Sequence, residues 1–290
     1  MDNNKISGRT GLICLLGSPV SHSRSPLIHN EAFRLLGLDY VYLCFDVDEA
    51  GLENVVKGLA GIGARGFNLT MPDKSAMCAY CDTLSDASRL TGSVNTVVIE
   101  NGRLHGHTTD GVGYLNSVRE QGCNPSGKVM TVLGGGGAAV SIIVQAALEG
   151  VSEIRIFNRK GGSFDRIERL IPEIGRISSC RITQDYITDK EMLQASLEDS
   201  YMLTNCTNVG MAPDTKGCLI SDDMVLPSRL IVSDIIYEPS ETALLRHARR
   251  DGCPAFNGEY MLLYQAAESF KLWTGREMPV ETIKEMDIWK

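Results

Sequence analysis

Lys128 to Lys160 constrains this chain more than any other stretch. Lys128-Val129-Met130-Thr131-Val132-Leu133 reads as a short, largely apolar strand with β-branched residues. Gly134 to Gly137 follow without interruption, and Ala138 to Gly150 reads as a helix. Ile154 to Phe157 forms a second strand, ending on Asn158-Arg159-Lys160. Strand, glycine-rich turn, helix and strand make the unit that binds a dinucleotide. Residues without Cβ let the backbone turn sharply and approach a pyrophosphate, whose charge then meets the N–H groups of a helix N-terminus. A glycine run alone would mark only a tight turn between core elements. The strands on both sides, and the basic residues that close the second, point to a nucleotide.

At 290 residues the chain suits one large or two ordinary domains. Its net charge of −8, with no basic run, excludes a nucleic-acid partner. Nine cysteines are scattered, with Cys78 and Cys81 as an isolated CxxC, which reads as reduced thiols without a disulfide frame or metal site. With no signal peptide and no bilayer-long apolar run, the expectation is a cytoplasmic protein that binds no membrane.

In chain order, Leu12–Leu16 is a strand ended by Gly17-Ser18-Pro19. Ser25-Pro26 reads as an N-cap with proline at the first helical position, opening a helix through Leu36. Strands follow at Tyr40–Phe45, Gly66–Leu69 and Val94–Ile99, the last closed by an Asn101-Gly102 turn. Between them lie a helix at Leu52–Leu59 and another starting at Met71-Pro72. This alternation predicts a mostly parallel sheet covered on both faces, an α/β domain without a phosphate loop. Gly111–Gln121 is the crossing helix. After the dinucleotide unit come a helix at Phe164–Leu170, strands at Met202–Thr204 and Leu230–Val232, and a helix at Thr242–Arg250. A short strand at Ala255–Phe256 precedes tail helices at Tyr260–Thr274 and Val280–Ile288.

Three polar clusters follow strands, where α/β folds bind ligands. They are Ser21-His22-Ser23-Arg24-Ser25, Asn68 to Lys74, and Asn95-Thr96 with Thr108-Thr109-Asp110-Gly111. Capping and turn chemistry account for part of each, but three hydroxyls in five residues exceed what a cap needs. Together they offer the hydroxyls and amides that a polyol-like ligand requires. Hydride transfer needs also a proton-transfer group, for which Lys74 or Asp110 would serve.

Gly17 to Pro26 resembles the shikimate-binding signature of the shikimate dehydrogenase family. Asn68–Lys74, Gly92–Thr96, Thr109–Gly111, Asn205–Met211, Asp234–Pro239, Met261–Gln265 and Trp273–Gly275 resemble its other motifs, in the family's order. The stretch Phe157–Lys160 and the tail are most similar to the quinate/shikimate dehydrogenase branch. The resemblance implies an N-terminal α/β substrate domain, residues 1–112 completed by helices of 259–290. It implies a Rossmann-type NAD(P)-binding domain over 113–258, with the active-site cleft between the two. Lys74 and Asp110 would be the catalytic pair. Ser23, Ser25, Thr70, Asn95, Thr109 and Gln265, with Tyr42 and Tyr237, would hold the substrate. Gly135, Gly136, Gly137 and Ala138 would cradle the pyrophosphate, Asn158, Arg159 and Lys160 would meet the adenosine ribose, and Thr207, Asn208 and Gly258 would lie along the cofactor.

The expected activity is reversible NAD(P)-dependent oxidation of shikimate, quinate or both, in a monomer or homodimer without metal. The alternatives are a dehydrogenase of an amino-shikimate-type acid and a non-catalytic NAD(P)-responsive protein of the same fold. Four positions depart from the family pattern: Thr108, Asn208, Tyr260 and Gly161. Tyr260 puts a large side chain near the expected nicotinamide end, and Gly161 stands where the quinate/shikimate branch can use an acid on the ribose. With Arg159 and Lys160 in place and no acid before Asp165, the lean is modestly to NADP over NAD.

Overall fold

The computed structural model describes residues 6–286. The chain divides into two compact units, one running to Thr109 and resuming at Leu263, the other from Asp110 to Leu262.

In the first unit the elements are β1 Gly11–Gly17, α1 Ser25–Leu36, β2 Tyr40–Asp46, α2 Glu49–Gly61, β3 Gly66–Leu69, β4 Thr83–Leu84, α3 Asp86–Thr91, β5 Thr96–Glu100 and β6 Arg103–His107. The sheet order is β2-β1-β3-β5-β6-β4. The sheet is more mixed than the alternation predicts, because β5 runs antiparallel to both β3 and β6. The cause is local. Asn101 and Gly102 both take positive φ, 52° and 75°, which makes the tight hairpin that reverses β5 into β6. Leu52, Val56 and Leu59, spaced as one helical face, pack α2 onto Cys14, Leu16, Phe67 and Leu69. Each such buried aliphatic side chain contributes roughly 1.5–3 kcal/mol.

The other face of β2 meets an aromatic group. The ring of His29 stacks on Tyr42 at 4.4 Å, with Trp273 tilted at 5.3 Å and Phe270 at 6.4 Å. Trp273 donates its ring N–H to the Val97 carbonyl at 2.9 Å, which ties the C-terminal helix to the sheet. β2 is an edge strand, and Asn30 reaches it from α1. The Asn30 amide donates to the Tyr42 carbonyl at 2.9 Å and accepts the Tyr42 N–H at 2.8 Å.

Two local expectations need correction. Ser25 is not the N-cap of α1: that place is held by Arg24, without a side-chain hydrogen bond, and Ser25 is the first helical residue. Met71-Pro72 opens no α-helix. The Asp73 N–H closes a turn onto the Thr70 carbonyl at 3.1 Å, and only a single 3₁₀ stretch follows, Ala76–Tyr80.

In the second unit, α4 Asp110–Glu120, β7 Val129–Leu133, α5 Gly137–Leu148, β8 Glu153–Asn158, α6 Gly162–Ile174, β9 Arg181–Tyr186, α7 Lys190–Asp199, β10 Met202–Asn205, β11 Ile231–Asp234, α8 Ala243–Arg250 and β12 Ala255–Phe256 alternate. The sheet order is β12-β11-β10-β7-β8-β9, and every adjacent pair is parallel. The order reverses at β7, so the crevice at the carboxyl ends of β7 and β10 is the topological switch point. α9 Glu259–Thr274 begins in this unit and ends in the other, and α10 Val280–Lys284 follows. Asp287 and Ile288, at the end of the expected tail helix, lie outside the described residues. No helix among the described residues is long and apolar enough to cross a membrane.

Candidate active site

In the first unit the polar clusters converge on buried amides and hydroxyls. Asn68, at the end of β3, is buried, and its Oδ1 accepts the Tyr42 hydroxyl at 2.7 Å. Its Nδ2 donates to the Asn95 carbonyl at 2.9 Å and to the Thr96 hydroxyl at 3.0 Å. Asn95 donates its amide N–H to the Thr109 hydroxyl at 3.0 Å, and its Oδ1 accepts the Thr109 backbone N–H at 2.9 Å. Ser269, on α9, is fully buried against Thr96 at 2.8 Å and Thr109 at 3.2 Å, and donates to the Gln265 carbonyl at 3.0 Å. Asn95, Thr109 and Gln265 thus sit on one hydrogen-bonded frame. The sequence reading missed Ser269, since a serine inside an otherwise ordinary helical pattern gives no local signal.

Ser23 is half-buried and accepts the Ser25 N–H at 3.2 Å, so one of the loop's hydroxyls shapes the turn. Ser25 is 9% exposed and hydrogen-bonds Tyr42, which is wholly buried. Burial pushes the Tyr42 phenol well up, so this ring stays neutral and serves as a support for Asn68 and Ser25. Thr70 follows β3, half-buried, with its N–H on the Leu16 carbonyl at 2.9 Å. Lys74 is half-buried, and its carbonyl accepts the Val94 N–H at 2.8 Å, fixing the turn that carries the side chain.

In the second unit Asp110 opens α4, where a carboxylate is favoured by the helix dipole. The glycine-rich turn has backbone reasons for its composition. Gly134 takes φ +104°, and a Cβ there would lie 2.7 Å from the Thr207 methyl. A Cβ on Gly135 would lie 2.3 Å from the Asn158 amide nitrogen. Gly136 caps α5 without a side chain, so the first backbone N–H groups of that helix face outward for a ligand. This cradle, with no room for a Cβ at Gly134 or Gly135 and open space at Gly136 and Gly137, fits a pyrophosphate.

Two cavities adjoin it. One, of about 390 Å³, is lined by Gly134–Gly136, Phe157–Arg159, Ser163, Ile187, Thr207–Val209 and Leu219. The other, of about 550 Å³, is lined by Gly136, Gly137, Ala138, Thr207, Asn208, Met211 and the run Ile235–Glu238. Arg159 is exposed at the rim of the first, while Lys160 and Gly258 line neither. Asn158 is buried, and its amide oxygen accepts the Arg159 N–H at 2.8 Å, which sets the direction of the chain leaving β8. Asp165 lies exposed in the first turn of α6. Tyr237 is 45% exposed on the wall of the larger cavity. Gly258 instead packs on the exit of β11: a Cβ there would meet the Ile235 carbonyl oxygen at 2.0 Å. Ser163, Ile187 and Leu219 were not found from the sequence, as apolar or small pocket walls carry no motif. Among the described residues no group of His, Cys, Asp and Glu is placed to hold a metal ion.

Comparison with known proteins gives a consistent likeness. The shikimate dehydrogenase substrate binding domain matches residues 15–97, and the shikimate 5'-dehydrogenase C-terminal domain matches residues 258–285. A shikimate dehydrogenase (NADP(+)) of Listeria monocytogenes is 46% identical over 283 residues, 97% of each chain. The crystal structure of shikimate 5-dehydrogenase from Listeria monocytogenes in complex with shikimate and NAD superposes with a TM-score of 0.94, at 46% identity over 97% of each chain. Quinate dehydrogenase from Corynebacterium glutamicum in complex with NAD gives 0.84 at 26% identity, over 95% of this chain and 98% of its own.

Proposed function

This chain belongs to the shikimate dehydrogenase family, and we propose that it oxidises shikimate reversibly to 3-dehydroshikimate with NADP or NAD. The observation that carries this is a whole-chain likeness to an enzyme crystallised with shikimate and NAD, joined to a glycine cradle that fits a pyrophosphate. The nicotinamide, when bound, accepts the hydride from the ring carbon that bears the hydroxyl.

The chain's own residues supply the rest. Lys74 takes the hydroxyl proton as hydride leaves, a share worth on the order of 10²–10⁴-fold in rate, and Asp110 is the second catalytic residue. Ser23 and Ser25 hold the carboxylate, while Asn95, Thr109, Thr70 and Gln265 hold the ring hydroxyls, with Tyr42 supporting them from behind. Gly135, Gly136, Gly137 and Ala138 hold the pyrophosphate, Thr207 and Asn208 flank the cofactor, and Tyr237 lines its wall. Lys160 adds positive charge beside Arg159, and Gly258 lets α9 start tight against the β11 exit.

Quinate is the second substrate, supported by the likeness to a quinate dehydrogenase. For the cofactor, the exposed guanidinium of Arg159 at the rim of the smaller cavity suits a 2′-phosphate, so NADP is preferred and NAD accepted. Initial rates with shikimate and quinate, each with NADP and NAD, test the reading. Shikimate oxidation with NADP is expected to be fastest. Turnover of neither acid with either cofactor would leave the amino-shikimate-type dehydrogenase and the non-catalytic protein as alternatives.

A further inference from the structure

We infer that Asp234 is a positioning residue for the cofactor: it holds the two walls of the nucleotide pocket in register while touching no cofactor itself. The inference rests on the dehydrogenase reading above. Asp234 ends β11 and Asn205 ends β10, and the two are partners across the parallel ladder. They are 0% and 2% exposed. A carboxylate stays ionised in such a place only when donors surround it. Here there are three, each from a different segment. Asp234 Oδ1 accepts the Asn205 amide N–H at 3.0 Å and the Ile236 backbone N–H at 3.0 Å. Its Oδ2 accepts the Thr242 hydroxyl at 2.8 Å, and Thr242 caps α8.

The Asn205 link runs on into the pocket. Asn205 Oδ1 accepts both the Thr207 hydroxyl at 2.7 Å and the Thr207 N–H at 3.1 Å. The Thr207 hydroxyl oxygen accepts the Val209 N–H at 3.1 Å. Thr207 and Asn208 line both cavities, and Ile235 to Glu238 line the larger one. One carboxylate therefore fixes the Thr207–Val209 wall through Asn205 and the opposite wall directly through Ile236. Its charge is felt nearby: after burial, it is what pushes the Cys206 thiol up. Burial raises the Asp234 carboxyl itself, and the Ile236 N–H, the Thr242 hydroxyl and the Asn205 amide draw it back.

Asp234→Asn keeps the shape and removes the charge. Direct fluorescence titration should show NADP binding weakened by about ten-fold or more, the size of a lost charged hydrogen bond. The Michaelis constant for shikimate should change by less than about two-fold, because its proposed ligands lie in the other unit. In the cofactor-free protein, amide hydrogen exchange at Thr207, Val209 and Ile236 should accelerate, while that of Val132 in the sheet core does not. Thr242→Val, which cuts the link to α8 together with the cap on the Leu245 N–H, should lower the melting temperature with NADP affinity unchanged. A lower melting temperature for Asp234→Asn, with unaltered NADP affinity and loop exchange, would overturn the inference. Should that variant not fold, Asn205→Ser carries the same test, since it cuts the link to Thr207 and leaves two donors on Asp234; unchanged NADP affinity there overturns it equally. Wild-type protein that binds NADP but oxidises no acid would sink the dehydrogenase reading and leave the Asp234 result readable.

Discussion

In the unit from Asp110 to Leu262 the pocket is made largely of backbone: a glycine turn, a bare helix N-terminus and loops whose N–H groups are locked by Asn205 and Asp234. In the other unit the polar groups are side chains, with Asn68, Asn95, Thr96, Thr109 and Ser269 bonding one another inside the protein. The two materials suit two ligands. A pyrophosphate presents charge in every direction and is met by any set of N–H groups, whereas a ring polyol needs donors and acceptors at particular points. This backbone cradle therefore admits no Cβ at Gly134 or Gly135. Side-chain frames tolerate changes of backbone composition but no lost hydroxyl.

The sharpest break is Lys74→Ala. Turnover should fall by roughly 10²–10⁴-fold with a far smaller change in shikimate affinity, read from steady-state kinetics and substrate titration. Turnover like that of the wild type would remove Lys74 from the mechanism. Next in size are Ser23→Ala and Ser25→Ala, each expected to cost about 1.5–3 kcal/mol through a raised Michaelis constant. Unchanged kinetics with a lower melting temperature would reduce these serines to turn and helix chemistry, which their bond at the start of α1 already hints at.

Arg159→Ala probes the cofactor side, where the guanidinium at the rim of the smaller cavity is expected to read cofactor identity. NADP should weaken by roughly ten-fold and NAD scarcely at all, because only NADP carries the extra phosphate. Equal losses would mean that the guanidinium reads no phosphate.

A further effect is a pH dependence of stability lodged in the substrate unit. Burial pushes the His29 imidazole from 6.5 down to about 3. The unfolded chain then binds a proton that the folded one refuses, so stability is lost as pH falls below about 6.5 and the loss continues toward about 3. Melting temperatures of wild type and His29→Phe between those limits should diverge, with the wild type falling more steeply. Parallel curves would show that His29 does not set the slope.

Where structure follows from short-range chemistry, the sequence is readable. The β7–α5 turn and the Asn101-Gly102 turn each depend on residues a few positions apart. β9 and α7 were not anticipated: Arg181–Tyr186 is an edge strand of half-exposed polar residues, so no apolar period marks it. Met71-Pro72 misled for a related reason. Proline at a helix start is only permissive, and the Thr70–Asp73 turn prevailed. In the site, the motif residues, Asp234 among them, entered through resemblance. Ser269 did not, nor did the role of Asp234, because their partners Thr109 and Asn205 lie far away in the chain.

Asn30 has a consequence that concerns many copies of the chain at once. β2 leaves its outer side open, with Leu43 and Phe45 exposed beside it, which is the kind of border onto which a stray strand from another molecule can zip. The Asn30 amide imitates such a visitor, taking both backbone groups of Tyr42 before any stranger arrives. A foreign strand would have to evict this tethered competitor from the middle of the border.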